Sequence, residues 1–138
     1  MTQIAVFDDA ANDSDKSYVV PAGRQWFVDW IHIILTTTAT VGNRQIGIQV
    51  LDESSNIMYD LHAGAVVAES LTRHIMALPG VPRETAFVAA QLQMGLPRRM
   101  QLLPGWTLRV YDNAAVDAAA DDMVVSLRYD ETLYKRDI

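Results

Sequence analysis

Apolar and polar residues alternate with a period of two along most of this chain, and the alternation stops at short clusters of Pro, Gly, Asn and Asp. A period of two puts successive side chains on opposite faces of a strand, whereas a helix repeats near 3.6. The most apolar run, QWFVDWIHIILTTTAT (Gln25 to Thr40), is apolar at both odd and even positions. Its charge-free part, Trp30 to Val41, has 12 residues, against the roughly 20 that a membrane-spanning helix needs. Its β-branched and aromatic side chains lose rotamer freedom in a helix and pack well on a pleated sheet. Strict alternation places Trp26, Val28, Trp30, His32 and Ile34 on one face, and Phe27, Asp29, Ile31, Ile33 and Leu35 on the other. The run reads as a strand covered on both faces, by a second sheet or by a partner chain. It is long for a strand, so it is expected to continue into a neighbour or a bend.

The remaining elements follow from the same pattern. Ile4 to Phe7 is a short strand or a docking arm, and Asp8 to Lys16 (DDAANDSDK) is a polar loop, so residues 1–16 are set apart from a single domain over 17–138. Strands are predicted at Ser17–Val20, Arg44–Asp52, from Ile57, within Val66–Leu78, at Ala86–Leu92, Met100–Leu103, Trp106–Asp112 and Met123–Tyr129. Pro21-Ala22-Gly23, Val41-Gly42-Asn43, Asp52–Asn56, Gly95-Leu96-Pro97 and Pro104-Gly105 supply the turns. Asp112–Asp122 is a long loop or one helical turn. About eight short antiparallel strands without a long helix point to an all-β sandwich or barrel. Trp30, Ile34, Ile48, Leu108 and Val125 are expected to lie between its sheets.

Composition narrows the function classes. A chain of 138 residues, half of them hydrophobic, suits one domain with its own core. It has no cysteine, which removes disulfides and thiolate metal sites. MTQIAVFDDA has neither the basic nor the long apolar part of a secretory signal. The net charge of -6 and the scattered basic residues argue against nucleic acid as a partner. With no spanning segment, no membrane partner is expected either.

Catalytic and cofactor motifs do not appear. There is no phosphate-cradling GxxxxGK, no GxGxxG and no GxSxG. His32, His62 and His74 stand alone in sequence, without HxH or HExxH spacing, so they read as core or interface histidines rather than metal ligands. The acidic run Asp112, Asp117, Asp121 and Asp122 misses the EF-hand positions and reads as a loop whose carboxylates cap turns. Neither an enzyme nor a cofactor is expected. Trp26, Trp30 and Trp106 would make a sugar-stacking platform only if exposed; in phase with Val28 and Ile34, the first two read as core. The segment Leu78–Met100 has three prolines, two glycines and three arginines among apolar side chains, a composition that favours protein interfaces.

Two stretches, YVVPAGRQWFVDWIHIILTTTATVGNRQIGIQVLDESSN and LLPGWTLRVYDNAAVDAAADDMVVSLRY, carry a resemblance over Ser17 to Tyr129. The chain resembles the jelly-roll cement, or decoration, proteins of tailed-bacteriophage heads. The resemblance implies a jelly-roll-like sandwich that forms a homotrimer. It implies a structural virion protein, made in the host cytoplasm, that binds the major capsid protein on the outer head surface and clamps capsomers. Capsid contacts are expected at Ile4 and Phe7 on the N-terminal arm and at Arg83, Leu96, Arg98 and Arg99. The alternative is a carbohydrate-binding or receptor-binding β-sandwich module of a phage tail or neck.

Overall fold

The computed structural model describes residues 2–10, 13–114 and 116–135. Ten strands follow in order: β1 (Thr2–Asp8), β2 (Asp15–Val19), β3 (Arg24–Thr36), β4 (Ile46–Leu51), β5 (Ile57–His62), β6 (Thr72–Pro79), β7 (Gln91–Leu96), β8 (Met100–Leu102), β9 (Thr107–Asp112) and β10 (Asp122–Leu133). Strand β1 pairs with β10, β2 with β9, β3 with β6 and β4 with β5, all antiparallel. These nested pairs make one long hairpin rolled on itself, the wrapping of a jelly roll. The β3–β10 and β4–β9 pairings complete a six-stranded sheet, β1-β10-β3-β6-β7 with β8 beside β3, and a four-stranded sheet, β2-β9-β4-β5. The expected all-β sandwich is therefore present. Strands β7 and β8 lie between the sixth and seventh strands of the roll; β8 falls where a strand is expected at Met100–Leu103, and β7 overlaps only the end of the one expected at Ala86–Leu92. Strand β7 falls inside the segment singled out for its composition and runs parallel to β6.

Several boundaries differ from expectation. Ile4–Phe7, read as a short strand or a docking arm, is the strand, extended to residues 2–8 at the sheet edge, with Ile4 and Val6 packed on the core. Residues 86–90 are loop, and the strand begins at Gln91. The turn placed at Gly95–Pro97 falls later, at residues 97–99, with Arg99 at φ 48°. Asp112–Asp122 contains no helix among its described residues. The Asp52–Asn56 turn is as expected: Asp52 Oδ1 accepts the Ser54 and Asn56 amides at 2.9 and 2.8 Å, and Ser55 takes φ 64°.

The largest difference lies inside β3. Val28 pairs with Tyr129 and Trp30 with Arg128, leaving Asp29 without a partner. One extra residue reverses every side chain that follows. Trp26 and Val28 face inward before the bulge, and Ile31, Ile33 and Leu35 face inward after it. Ile48, Leu108 and Val125 are buried as expected; Trp30 and Ile34 are not core residues but half-buried ones on the outer face. Core and outer-face substitutions should therefore differ sharply. Ile33→Ala should cost about 2–5 kcal/mol, and Trp30→Ala about 1 kcal/mol. Reversible urea unfolding measures both, and equal costs would contradict the bulge.

A candidate partner-binding surface

Residues paired across neighbouring strands share a face. Downstream of the bulge, the outer face of the six-stranded sheet carries three rows. Phe7, Ser126, His32 and Met76 form one; Ala5, Arg128 and Trp30 form a second; Val124, Ile34 and His74 form a third. Phe7 is 67% exposed, while Trp30, Ile34, Met76 and Val124 are half-buried by one another and by the strands beneath. Arg128 lies over the Trp30 ring at 5.2 Å.

Before the bulge, the same face continues into a groove of about 600 Å³ lined by Phe27, Asp29, Pro79, Arg98, Arg99 and Asp130. The Arg99 guanidinium sits 4.8 Å above the Phe27 ring, and Gln3 donates to Asp29 at 3.4 Å. No ion pair among the described residues uses Arg98 or Arg99. Arg99 is stacked on an aromatic ring, a setting in which Arg contributes to interfaces, and exposed Arg98 lines the same groove with Asp29 and Asp130.

The outer face of the four-stranded sheet is built in the opposite way. Arg109 grips Asp15 with two bonds of 2.8 Å and reaches Gln49 at 3.2 Å. Tyr111, under the Arg109 guanidinium, donates to Asp60 at 2.8 Å and lies 3.2 Å from His62. Burial, and then the Asp60 bond, push the Tyr111 phenol up to about 12. Polar groups here satisfy one another and leave little for a partner.

The six residues expected to bind a partner have different fates. Phe7 is exposed on the apolar face, and Arg98 and Arg99 line the groove continuous with it. Ile4 turns inward against the core. Leu96 is 5% exposed and belongs to the core, so its side chain offers no anchor. Arg83 donates to the carbonyls of His62 and Ala63 at 3.1 and 3.4 Å, tying the β6–β7 connection to the end of β5. That connection lies close on its surroundings: a Cβ on Gly64 would fall 2.0 Å from the Glu84 carbonyl oxygen, and one on Gly95 2.6 Å from that of Val81.

The three tryptophans form no exposed platform. Trp26 is buried and stacked on Tyr129 at 4.0 Å, Trp30 lies beneath Arg128, and Trp106 packs on the core with its indole bonded to Glu53. Two of the three histidines are not alone: β3–β6 pairing brings His32 Nε2 within 3.2 Å of His74 Nδ1. Their 42-residue separation hid this contact, although both lie on apolar strands.

The acidic loop is tied to the protein itself. Asp112 accepts the amides of Gln45, Ala114 and Val116, and Asp117 accepts the hydroxyls of Thr38 and Thr40. Asp121 takes the guanidinium of Arg44, a buried pair that no sequence motif announced. Hydrogen bonds from Thr38 and Thr40, with Arg44 nearby, hold the Asp117 carboxyl below the usual 3.8. Burial raises the Asp8 carboxyl, but bonds from Lys16, Tyr18 and the Ala10 amide outweigh it and lower the net value. Below about pH 4 the unfolded chain therefore binds more protons than the folded one, and stability present above that pH is lost as pH falls. Melting temperatures should drop below about pH 4, and less steeply in Asp117→Asn; equal slopes would contradict the assignment for Asp117.

No protein-family model matches the chain, and no curated protein matches it.

Proposed function

We propose that this chain is a non-catalytic structural protein of a tailed-phage head, a cement or decoration protein that docks on the outer capsid surface and links capsomers. The observation that carries this reading is the contrast between the two outer faces. One is apolar and runs into a groove with exposed arginines; the other is polar and satisfied within itself. Such one-sidedness suits a protein that lies flat on a partner and turns its other face to water. The nested-hairpin topology agrees with the resemblance that first suggested the role, although fold alone does not choose a function. The partner is the major capsid protein, and the location is the virion after synthesis in the host cytoplasm.

The same reading makes the protein a homotrimer. Edge strand β5 leaves Ile57, Met58 and Tyr59 exposed, an unprotected edge of the kind that pairs with another chain. Three linked copies turn weak capsid contacts into firm attachment through effective concentration. The glycan-binding alternative needs exposed Trp or Tyr rings beside Asp or Asn; Trp26, Trp30 and Trp106 do not present them, and Tyr59 beside Asp60 offers one exposed ring at a sheet edge rather than a platform of several. Purified protein mixed with heads assembled without it should co-sediment to saturation, in multiples of three copies per site. Absence of co-sedimentation with heads, or a monomer by light scattering at micromolar concentration, would overturn the reading.

A further inference from the structure

We propose that His32 and His74 form a two-imidazole site for a divalent late transition-metal ion, with zinc the ion whose geometry fits. The two rings are near parallel, 19° apart with centroids 5.3 Å apart, and His32 Nε2 lies 3.2 Å from His74 Nδ1. An ion bonded to both nitrogens at about 2.0–2.1 Å would see them at an angle of about 100–105°, close to tetrahedral. Both rings sit in a recess of about 130 Å³ that Met76, Gln91 and Gln93 also line. No carboxylate lines the recess, so the donor set is imidazole with a thioether beside it, a set that suits zinc, copper and nickel rather than magnesium or calcium.

In the empty pair one ring nitrogen donates its proton to the other. When the ion enters, that proton moves to the far nitrogen of the same ring, so both rings stay neutral and no net proton leaves. Two protein ligands leave the remaining positions to water. Folding does not require this ion, since β3 and β6 are already paired along Ile31–Thr36 and Thr72–Ala77. The site stands apart from the groove around Arg98 and Arg99, although His32, His74 and Met76 lie in the rows of the same outer face; ion binding by the isolated chain does not rest on the head-binding proposal.

Calorimetric titration of the full chain with Zn²⁺ tests the site. One ion per chain is expected, with binding weakened at least tenfold in His32→Gln and in His74→Gln, and unchanged in His62→Gln. Cobalt should give the intense visible bands of a tetrahedral ion. Imidazole ¹⁵N resonances of the unaltered protein supply a reading free of any folding defect, with His32 and His74 moving on zinc addition and His62 still. No saturable binding, binding in His32→Gln and His74→Gln as tight as in the unaltered protein, or shifts at His62 instead would overturn the proposal.

Discussion

Replacing Arg44 with Met is expected to cost about 3–5 kcal/mol of folding stability, as for other buried ion pairs that lose one partner. Arg44 is fully buried, and so is its partner Asp121. The guanidinium donates from Nε and Nη2 to the two Asp121 oxygens at 2.8 and 3.2 Å, and from Nη1 to the carbonyls of Thr40 and Gly42 at 2.8 and 2.7 Å. Nη2 also reaches the Thr38 hydroxyl at 3.2 Å, and Asp121 accepts the Thr38 amide. This fork ties the loop after β3 to the loop before β10 at one end of the sandwich. Met matches the volume but leaves the buried Asp121 carboxylate with only the Thr38 amide and no charge partner, and takes the guanidinium donor from two carbonyls. Lys should fail too, because a point charge does not serve five acceptors set around a planar fork. The double variant Arg44→Met/Asp121→Leu should recover part of the loss, since an apolar pair strands no charge. Urea unfolding of the three variants measures this. A cost below about 1 kcal/mol for Arg44→Met would show that water replaces the guanidinium.

The second large effect is on binding. Changing Arg98 and Arg99 together to Glu should weaken attachment to heads by about a hundredfold or more, while the melting temperature stays within a few degrees. Both side chains are exposed, and no ion pair among the described residues depends on them, so the fold loses little. Across an interface, however, reversing two charges sets like charge against like, and each tenfold loss corresponds to about 1.4 kcal/mol. A trimer repeats the loss at three contacts. Phe7→Asp, at the far end of the same face, should lower binding by about tenfold as a lost apolar anchor. Val41→Glu, on an exposed loop and in none of these rows, should bind as the unaltered protein does. Leu96→Ala would act differently, by opening the core, and should lower stability first.

The strands and most turns were legible because alternation and turn chemistry are local. Asp52–Asn56 carries its own turn in its side chains, and Ile46, Ile48 and Val50 alternate with polar or small neighbours. The bulge at Asp29 was not legible, for a specific reason. Both alternating sets of β3 are apolar, so a phase reversal leaves no mark on the pattern, and Trp30 looks as buried as Trp26. Arg44 was missed because a lone Arg after Val-Gly-Asn resembles a solvated turn, and its partner lies 77 residues away. The His32–His74 contact likewise depends on the β3–β6 register rather than on spacing. Of the candidate surface, Phe7 is suggested by the apolar run Ile4–Phe7, and Arg98 and Arg99 by the composition of Leu78–Met100, both read with the resemblance. Trp30, Ile34 and Met76, which complete the face, became visible only once the sheet order and the bulge were known.

Electron cryomicroscopy of virions made with and without the gene for this chain tests head decoration most directly. The expected result is added density on the outer head surface in threefold groups, with the face of β1, β10 and β3 and the Arg98–Arg99 groove turned toward the capsid. Head reconstructions that are identical with and without the gene would contradict it.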